Sequence, residues 1–132
     1  MISKKLIIYN LKVIKNSKGN IKKYLDLKIL KKLKISEVYF SEIKKNKIKG
    51  WNLHKKATCL LSVAYGSVKF QVRDKNFKLA KTVLINNKNH KCIKIPPGMW
   101  FSFKAITQNS VVINSTDLEH KKDETRKIPI KQ

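Results

Sequence analysis

Arginine is almost missing from this chain. Of its 31 basic residues only Arg73 and Arg126 are arginine, and the rest are lysine. Bidentate contacts to guanine and phosphate favour the guanidinium fork, so a dedicated nucleic-acid reader is disfavoured even though the net charge is +23. Cysteine is scarce too. Cys59 and Cys92 lie far apart, form no CxxC pair and sit in alternating apolar surroundings, which reads as two buried small hydrophobes. The three histidines, His54, His90 and His120, show no zinc-finger spacing. No apolar run approaches the ~18 residues of a membrane span. Leu6-Ile7-Ile8-Tyr9 is too short for a signal h-region and no small-residue cleavage site follows it. The expectation is a cytoplasmic chain with no membrane partner.

What is present is enough for a core. Hydrophobic residues make up 42% of 132, the size of one domain, and no internal repeat or linker divides residues 1–132. The lysines are spread through every segment alongside abundant Ile and Asn, which reads as a solvated surface of biased composition. The other reading is a basic face able to attract a nucleotide diphosphate.

Short strands broken by turns dominate the pattern. Apolar alternation marks strands at Leu6–Ile14, Ile21–Leu25, Val38–Ile43, Ile48–His54, Thr58–Ala64, Val68–Val72, Lys78–Ile85, Lys91–Ile95, Trp100–Ala105 and Ser110–Asn114. Polar turns separate them at Asn16–Asn20, Lys44–Lys47, Arg73–Asn76 and Asn86–Asn89. Leu27–Leu33 alone suggests a helical turn. Strands roughly 8–12 residues apart, with no long helical period, predict an all-β sandwich or jelly roll.

One strand carries candidate chemistry. Residues two apart on a strand share a face, so Asn52 and His54 point together, with Lys56 continuing the row if the strand does. Trp51 and Leu53 take the other face. An imidazole in a pocket floored by apolar strands is a sensible place to move a proton near neutral pH. Pro96-Pro97-Gly98 forces a tight turn that would return Trp100 toward the rim. Trp51 and Trp100 suit packing, and also stacking on a base.

Three segments, in order, resemble one family. They are Val38-Tyr39-Phe40-Ser41-Glu42-Ile43 with Ile48-Lys49-Gly50-Trp51-Asn52-Leu53-His54-Lys55-Lys56, then Gly66–Asp74, then Ile95-Pro96-Pro97-Gly98-Met99-Trp100-Phe101-Ser102-Phe103-Lys104. A similar tail follows at Asn114–Asp117 and Asp123–Pro129. Together they are similar to the dTDP-4-dehydrorhamnose 3,5-epimerases and the neighbouring sugar 3,4-ketoisomerases. The resemblance implies a cupin-type jelly roll (a double-stranded β-helix), a homodimer, and isomerisation of a dTDP-4-keto-6-deoxyhexose in surface-polysaccharide synthesis. It implies His54 as catalytic base and Lys49 as its partner for phosphate or enolate. Asn52, Lys56, Arg73 and Trp100 would bind the nucleotide sugar.

The chain also departs from the family. In the Arg-Gly-x-His motif Lys49 replaces the arginine and Asn52 the histidine, leaving His54 to match the second histidine of the ketoisomerases' His-x-His. Phe101 stands where related cupins carry His or Asn. No tyrosine falls at Thr116–Glu119, where the epimerases keep their general acid. Cupins that hold a metal use several histidines and a glutamate; only His54 of such a set is present, so neither metal nor cofactor is expected. A non-catalytic sugar-nucleotide binder is the alternative function.

Overall fold

The computed structural model describes residues 5–31, 33–119 and 124–130. His120 and Asp123 lie outside the described residues.

Alternation is what builds the two layers. Where every second residue is apolar, a strand can bury one face and wet the other. β7 (Val68–Arg73) shows this most cleanly, burying Val68, Phe70 and Val72 while Lys69, Gln71 and Arg73 face the other way. The same rule places Cys59, Leu61 and Val63 of β6 (Cys59–Tyr65) inward, with Ile93 and Ile95 of β9 (Lys91–Ile95) and Phe101, Phe103 and Ala105 of β10 (Trp100–Ala105). These side chains meet in one core between the sheets. Each large one contributes roughly 1.5–3 kcal/mol on leaving water.

The remaining strands are β1 (Ile7–Asn10), β2 (Val13–Ile14), β3 (Ile21–Lys22), β4 (Glu37–Ile43), β5 (Ile48–His54), β8 (Leu79–Ile85), β11 (Ser110–Thr116) and β12 (Thr125–Lys127). One antiparallel sheet runs β1-β9-β6-β11-β4 and the other β12-β5-β10-β7-β8, with β2 and β3 a separate pair. This is the all-β, double-sheet jelly roll that the strand pattern and the cupin resemblance predict.

Outside the first sheet the N-terminal arm adds a second, smaller core. Leu11, Ile29 and Leu33 pack on Leu60 and Cys92. A short helical turn, α1 (Leu27–Leu30), starts at Asp26, whose carboxylate accepts from the Ile29 N–H at 3.0 Å. Cys59 and Cys92 are both buried free thiols in different clusters. Burial pushes the Cys92 thiol up to about 12 and the Cys59 thiol higher still.

Two features differ from the sequence pattern. Leu6–Ile14 divides into β1 and β2 around Leu11, which drops into the outer core. β12 carries no apolar alternation, and it forms because Thr125, Arg126 and Lys127 pair with His54, Leu53 and Asn52.

Candidate active site

A cavity of about 370 Å³ opens between the sheets, walled by β4 and β11 on one side and by β5, β10 and β12 on the other. Leu61, Phe101, Phe103 and Val112 form its apolar floor, while Tyr39, Lys49, Asn52, His54, Asn114 and Thr125 supply polar groups. An apolar pocket with a few convergent polar side chains suits a small ligand.

Strict alternation would separate Lys49 from Asn52, because residues three apart face opposite sides of a strand. A bulge brings them together. β5 pairs Asn52 with Phe101 and Lys49 with Phe103, so Gly50 and Trp51 lie opposite the single residue Ser102. Gly50 makes this possible. Its φ is +138°, and a Cβ there would stand 2.7 Å from the Ser102 Cβ and 2.9 Å from the Phe101 carbonyl oxygen. Lys49 reaches the rim and donates to Ser41 Oγ at 3.0 Å.

His54 is buried at the end of β5, its ring stacked 5.8 Å from Phe101. Nδ1 lies 2.8 Å from Glu124 Oε2 and 3.2 Å from Thr125 Oγ1. The other carboxylate oxygen of Glu124 accepts from the backbone N–H groups of Lys56 at 2.6 Å and Ala57 at 2.7 Å. Burial pushes the Glu124 carboxyl up, but the Lys56 N–H, the His54 ring and the Ala57 N–H together outweigh it and hold the group below the usual glutamate range. Glu124 is therefore ionised at neutral pH and can only accept. Because the carboxylate can only accept, Nδ1 carries the proton it shares with Glu124, and in the neutral imidazole the lone pair then lies on Nε2. The Pro-Pro-Gly turn secures the strand end, with Gly98 N–H donating to the His54 carbonyl at 2.8 Å.

Tyr39 stands on the opposite wall. Asn114 Nδ2 donates to its hydroxyl at 2.9 Å. Burial, with Cys59 and Glu37 adding to it, pushes the phenol up to about 12, so Tyr39 keeps its proton throughout the neutral range.

The structure thus gathers His54, Lys49 and Asn52 at one cavity. It does not bring Trp100, Arg73 or Lys56 to that wall. Trp100 pairs with Leu53 and Arg73, and these project from the other face of the sheet. There the Arg73 guanidinium stacks 5.1 Å from the Trp51 ring and 4.8 Å from Phe77, while Arg126 covers Trp100 at 5.4 Å. The strand ends at His54, so the Lys56 side chain points to solvent and only its backbone N–H serves the site. Glu124, Thr125, Tyr39 and Asn114 escaped the sequence reading as site residues. Tyr39 was legible, since it alternates with Ser41 on one face of a recognisable strand. Glu124 was not, because its approach to His54 spans 70 residues of sequence. Among the described residues no three His, Cys, Asp or Glu side chains gather as a metal site.

Residues 4–127 match the family described as FdtA: WxcM-like, C-terminal. The chain belongs to that family. Among curated proteins no relative matches. The fold is shared with a dTDP sugar isomerase from Desulfovibrio desulfuricans G20, at TM-score 0.86 and 25% identity over 94% of this chain and 83% of that one. A dTDP-4-dehydrorhamnose 3,5-epimerase from Bacillus anthracis, solved with TDP and PPi bound, superposes at TM-score 0.81 with 15% identity over 93% and 78%. QdtA, a sugar 3,4-ketoisomerase from Thermoanaerobacterium thermosaccharolyticum in complex with TDP, gives 0.77 and 19% over 96% and 89%. The FdtA-family chain and these proteins share the jelly roll that holds the cavity.

Proposed function

We propose that this protein is an isomerase that moves a proton next to the ketone of a dTDP-4-keto-6-deoxyhexose, with His54 as the base. The observation that carries the reading is the His54–Glu124 pair, which orients Nε2 as a proton acceptor in a cavity of sugar size. The carbonyl at C4 acidifies the protons on C3 and C5. Nε2 takes one of them, and the resulting imidazolium is steadied by the ionised Glu124. Negative charge then grows on the sugar oxygen. The protonated Tyr39 hydroxyl and the Lys49 ammonium are the donors available to meet it, and Lys49 at the rim also suits the diphosphate. Asn52 supplies an amide for a sugar hydroxyl. A proton returned to that carbon on the face it left restores the centre, and one delivered by a donor on the opposite face inverts it; after abstraction at C3, protonation of C4, with the O3 proton lost and O4 protonated, moves the ketone to C3.

The family membership and the dTDP-sugar isomerase that shares the fold support a nucleotide-sugar substrate. The proposal extends to a cytoplasmic homodimer working in surface-polysaccharide synthesis. Val38 and Phe40, exposed on the outward face of β4, support self-association. The test is proton exchange. Incubation with dTDP-4-keto-6-deoxyglucose in heavy water should erase the C3 or C5 proton signal by NMR, and His54→Ala should stop the loss while still binding dTDP. C3 exchange alone points to a 3,4-ketoisomerase or a 3-epimerase, and exchange at both carbons to a 3,5-epimerase.

Asn52 favours a second reading. An amide stands where the epimerases place their base, and a binder that has lost the chemistry would retain the cavity and the ligand without exchange.

A further inference from the structure

The wall opposite His54 holds an unused hydrogen-bond acceptor. Asn114 projects inward from β11, 6% exposed, and its Nδ2 is committed to Tyr39. Its Oδ1 is buried and has no hydrogen-bond partner among the described residues, yet the residue lines the cavity beside apolar Leu61 and Val112. A buried amide oxygen without a donor is costly, and native structures rarely tolerate one without a purpose. The missing partner must be a donor, because Oδ1 can only accept.

This inference rests on the sugar-isomerase reading, which narrows the donor. On a 4-keto-6-deoxyhexose C1 carries the diphosphate, C4 the ketone and C6 a methyl group, so only the C2 and C3 hydroxyls can donate. C3 bears one of the protons at stake, and its hydroxyl becomes a carbonyl if the ketone migrates. A carbonyl facing Oδ1 would set two acceptors against each other. The C2 hydroxyl is unchanged throughout. We propose that Asn114 is a specificity-determining residue whose Oδ1 accepts a hydrogen bond from the C2 hydroxyl of the sugar while its Nδ2 orients Tyr39. The two roles support each other. Because Nδ2 donates to the Tyr39 oxygen, the phenolic proton turns away from Asn114 and toward the ligand. The site should reject 2-deoxy sugars, since an occupant without the hydroxyl leaves the acceptor buried and unpaired.

The experiment measures calorimetric affinities for dTDP-glucose, its 2-deoxy-2-fluoro analogue and dTDP alone. Fluorine keeps the size and electronegativity of the hydroxyl but cannot donate. Wild-type protein should bind the fluoro analogue about tenfold more weakly than dTDP-glucose. Asn114→Leu should bind the two sugars alike and leave dTDP affinity unchanged. Asn114→Asp, which retains an accepting oxygen, should keep the discrimination and decides the matter if the leucine variant fails to fold. Equal wild-type affinities, or discrimination that survives in Asn114→Leu, would overturn the proposal. Proton exchange on the 4-keto sugar tests the catalytic reading separately. Discrimination without exchange leaves Asn114 as the specificity residue of a binding protein, exchange without discrimination removes only the Asn114 proposal, and failure to bind any dTDP-sugar refutes both.

Discussion

Replacing Glu124 by glutamine probes the proton inventory of the site with one atom changed. In the native arrangement Oε1 accepts two backbone N–H groups and Oε2 accepts from His54 Nδ1. Glutamine offers one oxygen and one NH₂. If the oxygen stays on Lys56 and Ala57, the NH₂ faces the ring. If the oxygen turns to the ring, two backbone donors face an NH₂ and lose their acceptor. Ala57 is buried, and an unsatisfied buried donor costs ~1–3 kcal/mol, so the first orientation prevails by roughly 5- to 150-fold. The NH₂ then donates to Nδ1, which must give up its proton, and the ring proton moves to Nε2. The base then meets the sugar carbon as an N–H and has no lone pair to offer. The expected loss is the whole general-base contribution, roughly 10²–10⁴-fold. The assay is the rate of α-proton loss from the 4-keto sugar in heavy water at neutral pH, with the melting temperature as a control on folding. A Glu124→Gln protein that exchanges within about threefold of wild type would refute the claim that this pair sets the base, because such a loss lies far below any general-base contribution.

Gly50→Ala should destabilise the fold by ~2–5 kcal/mol in urea denaturation, combining a strained φ with overpacking against Ser102; a variant as stable as wild type would show that the bulge does not need glycine. Tyr39→Phe should lower kcat by roughly 10²–10³-fold with little change in KM if the phenol stabilises developing charge, and an unchanged kcat removes Tyr39 from the chemistry. In wild-type absorbance titrations the Tyr39 phenol should resist deprotonation until about pH 12, and the same signal should vanish in the phenylalanine variant. Glu124 has a lowered pKa in the folded state, so its stabilising contribution is present above its ordinary value of 4.5 and is lost as the pH falls through the lower folded value. The stability gap between wild type and Glu124→Gln should therefore shrink in acid, and a gap that stays constant from neutral to acid pH would contradict the assignment.

The architecture was legible because a period of two is local. Val68, Phe70 and Val72 declare their buried face without reference to any other strand, and ten such segments suffice for a jelly roll. The pairing of Asn52 with His54 on one face followed from the same rule. Trp100 was expected at the rim because a Pro-Pro-Gly turn says where the chain reverses but not which face the next strand turns inward. Register with Leu53 and Arg73 made that choice and sent the indole to the far side. Lys49 was named from its place beside the glycine, yet its position in the cavity depends on the bulge, which exists only in relation to Ser102 on a strand some 50 residues on.

What the sequence determined by itself, then, is the all-β class, the inward and outward faces of most strands, the family resemblance and the candidate base. Tertiary structure alone decided what surrounds His54. Its carboxylate comes from Glu124, the residue just before β12, a strand that forms by pairing with β5, and Tyr39 and Asn114 face it from the other sheet. Hydrogen bonds of this kind join groups 70 residues apart along the chain, and no local periodicity carries the distance between two strands that meet only when the sheets close.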